Sequence, residues 1–333
     1  MAAAPRAAAK RFSPRDAMLT QRNVAAAALA LLLLVPASRA ADLDPYVPPD
    51  SEWVLQLNAK QLAAAPAVKK YAAERLGSAV RGTFAGLKPL TDLGVDPLKD
   101  ITTVTAAGSG VPESAKMLLI VHGALDADKL RKTAERLAKE EPTAWKVLKQ
   151  GDVTLYEARD KARLLPTYLA VLADGTVLGS SDRKYVATTA RVDPKKPTKP
   201  SKALQELVAK ADAKDDVWLA SVMPKDAPRM LAQAPKEAAL AEAITSLTGR
   251  VKVEDDLKLT LNVTAKEKKA ADEVAKFLDA TKEFAMLQAM TVEDVGPLLA
   301  ALMRACKTST DGTTASLAGR LSEEQLAKAL KKK

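Results

Sequence analysis

The sequence predicts an α+β protein built from two similar modules, each a mostly antiparallel sheet with helices packed on one face. Three features support this fold class: strands that lead through a capping residue into a helix, two Asp-Gly turns, and one strictly alternating strand. In that strand, residues 257–263, the leucines and Val263 share one face, and Lys258, Thr260 and Asn262 share the other. A sheet with one polar face is typically antiparallel and buries its apolar face against helices.

Residues 1–40 are expected to be a signal peptide that is removed from the mature protein. Residues 24–35 are uninterrupted apolar sequence, Arg22 precedes them, and Ser38 and Ala40 stand where signal peptidase reads small residues. As a helix this apolar run would measure about 18 Å, too short for a hydrocarbon core of roughly 30 Å. We therefore expect cleavage after Ala40, export to the periplasm or the cell exterior, and no stable membrane span after processing.

The first module is expected to span residues 41–191 and to contain three strands that each precede a helix. These strands are predicted at residues 53–57, 117–121 and 176–179. The capping residues expected after them are Asn58, Asp126 and Ser181. Their side chains can accept hydrogen bonds from the otherwise unpaired N–H groups of the first helical turn.

Residues 192–214 are expected to connect the modules, first as an extended segment rich in proline and lysine and then as a helix from residue 202. The prolines favour an extended, solvated chain. We interpret Lys195, Lys196 and Lys199 as part of a soluble linker, and the alternative is an anion-binding strip.

The second module, residues 215–333, is expected to repeat the same order of strands and helices. Ser322 and Gln325 have the spacing of a capping box at its last helix. Three pairs of positions are expected to correspond between the modules: Trp53 with Trp218, Asp126 with Thr264, and Asp174-Gly175 with Asp311-Gly312. An Asp-Gly pair supplies the positive φ angles that a tight hairpin turn requires.

This layout and the leader resemble those of several uncharacterised families of exported bacterial proteins with tandem α+β modules. The resemblance covers most of residues 50–333 and rests on architecture. It implies no activity, cofactor or site residue.

The charge of the chain does not predict nucleic-acid binding. Residues 1–40 account for +5 of the total of +10, and Lys331, Lys332 and Lys333 contribute three of the remaining positive charges. Aromatic residues make up 4% of the chain, and no basic cluster contains one. Nucleic-acid-binding surfaces combine clustered basic residues with aromatic ones, so we expect no nucleic-acid partner.

His122 and Cys306 are the only histidine and the only cysteine, and they are weak candidates for a site. No Gly-x-Ser-x-Gly, nucleotide-binding loop or calcium loop is present in the sequence, so no catalytic residue, metal or cofactor is predicted. We interpret His122 as a hydrogen-bonded structural residue at the end of a strand, and the alternative is a catalytic role. Cys306 is interpreted as a small buried hydrophobic residue, with a reactive or dimerising thiol as the alternative.

These observations favour an exported, non-catalytic binding or structural protein whose partner is an unknown protein. An alternative is a carrier of a small apolar or amphipathic ligand, bound between a sheet and its helices or between the modules. A third hypothesis is a hydrolase that uses His122.

Overall fold

The structure is a computed structural model that describes residues 41–72, 88–110, 116–160, 164–224, 227, 235–289 and 296–330. The predicted signal peptide lies outside the described residues. The described strands, in chain order, are β1 (Trp53–Leu57), β2 (Ile101–Ser109), β3 (Lys116–Gly123), β4 (Trp145–Gln150), β5 (Val153–Ala158), β6 (Thr167–Val171), β7 (Val177–Ser180), β8 (Val217–Val222), β9 (Ile244–Val253), β10 (Leu257–Ala265), β11 (Lys307–Asp311) and β12 (Thr314–Leu321).

The described α-helices are α1 (Ala59–Ala64), α2 (Lys88–Asp92), α3 (Ala127–Glu140), α4 (Arg183–Thr189), α5 (Lys202–Val208), α6 (Pro235–Ala243), α7 (Lys268–Ala289), α8 (Gly296–Ala305) and α9 (Glu323–Leu330), and a short π-helix covers Val68–Ala72. In the described part of the chain, no helix combines the length and the apolar character that crossing a membrane requires.

The twelve described strands belong to one sheet with the order β11-β12-β10-β9-β8-β1-β2-β3-β7-β6-β5-β4, and its neighbouring strands pair antiparallel. The α+β class with an antiparallel sheet is therefore confirmed. The first strands of the two halves, β1 and β8, meet at the centre, where Leu55 is opposite Leu219. Outward from this seam, both halves continue with a second and a third strand and then a hairpin, and the first half adds a further hairpin, β4–β5.

Two apolar cores lie on opposite faces of this sheet. The larger core contains Leu57 and Val217, and α1, α2, α3, α7, α8 and α9 pack over it. The second core contains Val54 and Trp218, and it is covered by α4, α5 and residues 41–47. The fold differs here from the expectation that helices cover one face only, because the first half also needs a cover for its second apolar face.

Trp53 and Trp218 do not occupy corresponding positions. Trp53 is paired with Ser221, and Gln56 is paired with Trp218. Since side chains alternate along a strand, Trp53 lies on one face of the sheet and Trp218 on the other. The prediction that they play the same role in two modules is wrong.

The predicted helix caps are correct at two positions and different at two others. Asp126 accepts a hydrogen bond from Lys129 N at 3.0 Å, and Ser322 and Gln325 form the reciprocal bonds of a capping box. Helix α4 is capped by Asp182, one residue beyond the predicted Ser181. Asn58 makes no capping bond. Its side-chain amide instead donates to the backbone oxygen of Asp215, across the central seam.

Candidate functional site

His122 is near the end of β3, on the face of the sheet that residues 41–47 cover. Its Nε2 atom lies 2.6 Å from Oδ2 of Asp44, and its Nδ1 atom lies 3.1 Å from Oγ1 of Thr176. The three side chains come from the amino-terminal segment, from β3 and from the residue before β7. The structure thus joins His122 to two residues that are far from it in sequence.

On the amino-terminal side of this cluster, a hydrogen bond from a backbone N–H orients Asp44, and an aromatic ring lies near His122. Asp44 Oδ1 accepts a hydrogen bond from Tyr46 N at 2.9 Å. The buried Tyr46 ring lies 6.4 Å from the His122 ring, measured between centroids. Burial and the nearby carboxylates of Asp174 and Asp44 raise the pKa of the Tyr46 phenol, so it stays protonated at neutral pH.

The imidazole of His122 is stabilised in its charged form. The hydrogen bond to Asp44 raises the pKa of His122, partial burial opposes this, and the charges of Asp44 and Asp174 add to the increase. When protonated, His122 donates from Nε2 to the Asp44 carboxylate and from Nδ1 to the Thr176 hydroxyl oxygen. Both ring nitrogens are then engaged within the protein.

Thr176, His122 and Asp44 present a hydroxyl, an imidazole and a carboxylate in the order found in a hydrolase triad. Whether they could act as one depends on whether a substrate can reach the hydroxyl. Thr176 is only 2% exposed, and the Asp44 side chain is 7% exposed. A substrate carbonyl needs to approach the nucleophilic oxygen directly, and this oxygen is closed off. The geometry therefore favours a structural tie between the amino-terminal segment and the sheet.

Cys306, the other predicted candidate, lies in the opposite apolar core from the His122 cluster. It is buried, and its thiol donates to the backbone oxygen of Leu302 at 3.0 Å. Burial raises the pKa of Cys306 to about 12, which leaves the thiol protonated and unreactive. Because the sheet separates Cys306 from His122, the structure does not bring the two together.

Sequence reasoning missed a second polar cluster, at the start of β8. Asp216 is fully buried, and its carboxylate accepts from Val253 N at 2.6 Å and from Gln61 Nε2 at 2.9 Å. Asp215 is 1% exposed, and neither of its carboxylate oxygens has a hydrogen-bond partner. Burial raises the pKa of Asp215 to about 7. The sequence signal was an acidic pair directly before a strongly apolar strand.

An open groove of about 560 Å³ lies between α6 and α7. Its apolar lining includes Leu240, Ala270 and Phe277, and Phe277 is 49% exposed. Its charged lining is mixed: Lys269 and Glu267 lie at the groove, together with an ion pair between Lys276 and Glu273. Among the described residues, no three His, Cys, Asp or Glu side chains converge as metal ligands would.

Comparison with known proteins gives distant structural neighbours and assigns no family. No protein-family model and no curated protein sequence matches the chain. Crystal form I of TP0453 aligns with a TM-score of 0.48 and 12% identity over 87% of this chain and 97% of that chain. Crystal form III of TP0453 aligns with a TM-score of 0.46 and 12% identity over 87% of this chain and 98% of that chain. The chain is thus distantly similar to TP0453 in structure.

Proposed function

We propose that this chain is an exported, non-catalytic protein that acts by binding or as a structural component in the periplasm or outside the cell. One observation carries the proposal: the only histidine and the only cysteine are both engaged in internal structural bonds. The hydroxyl beside the histidine is closed to substrates, and the cysteine thiol has a pKa of about 12. The residues best suited to nucleophilic or acid–base catalysis are therefore used to hold the fold.

Activity assays test this proposal against the hydrolase hypothesis. We expect purified residues 41–333 to show no turnover with panels of ester, phosphoester, peptide and glycoside substrates. Hydrolysis that His122→Ala abolishes, with the fold intact by circular dichroism, would refute the proposal. Cys306→Ser is the matched control, because it shows whether any hydrolysis depends on the Cys306 thiol instead of on His122.

Export and processing are tested separately. The amino-terminal sequence of the protein purified from its native host is expected to begin at Ala41. Detection of residues 24–35 in the mature protein would contradict the proposed processing and would indicate an anchored protein.

The groove between α6 and α7 supports a second candidate function, the binding of a small amphipathic ligand. Phe277 offers an exposed ring to the apolar part of such a ligand, and Lys269 offers a positive charge to a polar part, whereas Lys276 is paired with Glu273. A ligand would be detected by mass spectrometry of solvent extracts of the native protein. Phe277→Glu is expected to abolish its retention, whereas Met117→Glu, at a similarly exposed site on β3, should not. Equal retention by both variants would refute the groove as the site.

A further inference from the structure

Asp215 is an unusual residue because its charge has no direct partner. Its side chain is 1% exposed, and both of its carboxylate oxygens lack a hydrogen bond. A buried carboxylate without a partner is costly, and such groups are normally paired or neutralised. The charge of Arg250, a backbone group of Asp212 and the charge of Lys252 lower the pKa of Asp215, yet none of them meets hydrogen-bond geometry at its carboxylate oxygens. The carboxylate therefore lacks a charged donor.

The amino-terminal segment brings a donor to the same region. Ala41 N lies 2.9 Å from the backbone oxygen of Ala211, and Ala41 is 7% exposed. Asp212 follows directly and is 4% exposed. Asp215 N donates to the backbone oxygen of Asp212 at 2.9 Å, so a tight turn holds the two aspartates next to Ala211.

We propose that the α-ammonium group of Ala41, created when the signal peptide is removed, docks here and becomes the partner of the Asp215 carboxylate. This inference rests on the proposed cleavage after Ala40. An amide nitrogen has one N–H to donate, and in the uncleaved chain Ala41 gives it to Ala211. A free ammonium has three, so two remain for the carboxylates of Asp212 and Asp215 after the bond to Ala211 is kept. Processing thus completes a buried ion cluster and locks the amino-terminal segment onto the sheet.

The charges in this cluster fit such an occupant. The buried Asp215 carboxylate has the half-buried Arg250 as an electrostatic neighbour and no hydrogen-bond partner, so an ammonium would supply both a positive charge and a donor. The α-amino group has an ordinary pKa of about 7.7–8.0 and is mostly charged at neutral pH. Docked beside carboxylates it becomes a stronger base, because an opposite charge favours its protonated form.

A double-mutant cycle on proteins with defined amino termini tests the proposal. One form begins at Ala41 and the other carries an additional Gly-Ser before it, both released from a fusion by a site-specific protease. Each form is made with Asp215 and with Asp215→Asn.

In the form that begins at Ala41, we expect Asp215→Asn to lower Tm by about 2–5 °C, since it removes the partner of the ammonium. In the extended form, the same substitution should leave Tm unchanged or raise it. Asp255→Asn, at an exposed turn, should behave alike in both forms.

An equal effect of Asp215→Asn in the two forms would refute the proposal and would indicate that water satisfies this carboxylate. If the Asp215→Asn variant fails to fold, the chemical reactivity of the α-amine tests the proposal in the two forms that retain Asp215. At pH 7 the Ala41 amine should react with an amine-directed reagent on the order of tenfold more slowly than the Gly-Ser-extended amine, as a pKa raised by one unit implies. Equal rates would overturn the docking. Because both termini are made in vitro, these results are independent of where the native host cleaves, and amino-terminal sequencing of the native protein tests that separately.

Discussion

His122 shows at the scale of one residue how the amino-terminal segment is attached. A hydrogen bond to a charged group contributes about 1.5–3 kcal/mol, and partial exposure of the imidazole, whose side chain is 32% exposed, reduces this value. The bond joins Asp44, three residues after the predicted mature terminus, to the end of β3. Its strength depends on the protonation of the imidazole, so it depends on pH.

The pH dependence has a definite sign. The folded pKa of His122 is raised above its ordinary value near 6.5, so the folded state binds this proton more tightly than the unfolded state. The stabilisation is therefore complete below about pH 6.5 and is lost as pH rises through the raised folded value. Asp215, whose pKa without an ammonium partner is raised from 3.8 to about 7, gives a stabilisation that is complete below about pH 4 and is lost as pH rises to about 7. Measurements above pH 7 therefore report mainly on His122.

We expect His122→Gln to reduce the free energy of unfolding by about 1–2 kcal/mol at pH 6 and by less at pH 9. Urea unfolding at the two pH values measures the difference. Asp44→Asn should remove the same pH dependence, because it deletes the partner that raises the pKa. A variant that loses equal stability at both pH values would contradict an ionic role for His122.

The sequence predicted a structural His122 and could not predict its partners. Asp44 and Thr176 are separated from His122 by 78 and 54 residues, and only the pairing of β3 with β7 and the path of the amino-terminal segment bring them together. Asp215 was visible as part of an acidic pair, but its burial depends on the seam between β1 and β8. Long-range contacts of this kind leave no local pattern.

The two Asp-Gly hairpins show what local sequence decides at the scale of elements. Gly175 precedes β7 with φ of 86°, and Gly312 precedes β12 with φ of 55°. Both lie in the left-handed region that glycine adopts without strain, which is why the turns could be placed from sequence. Their surroundings differ. A Cβ atom at Gly175 would collide with the backbone oxygen of Leu125, whereas one at Gly312 would meet no atom within 4 Å.

This difference predicts unequal effects of the same substitution. Gly312→Ala should cost about 1 kcal/mol, the price of a left-handed backbone for alanine. Gly175→Ala should cost about 2–4 kcal/mol, because the Leu125 carbonyl must also move. Chemical denaturation of the two variants measures both values. Equal losses would contradict the close approach of the Leu125 backbone to the turn.

The whole molecule is organised around the seam between β1 and β8. Five residue pairs span it, from Trp53 opposite Ser221 to Leu57 opposite Val217. Asn58 N donates to Asp216 O at 2.8 Å, which continues the bonding between the halves beyond the strands. The sequence suggested two modules because each half carries its own strands, turns and caps. It could not show whether their sheets merge, since an edge strand and a central strand of this length have the same apolar pattern.

The division into modules at residues 41–191 and 215–333 remains a prediction, and separating the halves tests whether each folds alone. Residues 41–200 alone would expose the unpaired edge of β1, and residues 201–333 alone would expose the edge of β8, with Trp218 and Leu219 beside it. Unpaired, apolar central strands tend to aggregate or to lose their structure. We therefore expect that neither half alone unfolds cooperatively by circular dichroism, and that mixing the two halves restores a single unfolding transition.

The intact chain cleaved once in the connector, near Lys196, is the control, because it keeps the seam and should still unfold in one step. Cooperative unfolding of either isolated half within a few degrees of the intact protein would instead show two independent domains that share a sheet edge.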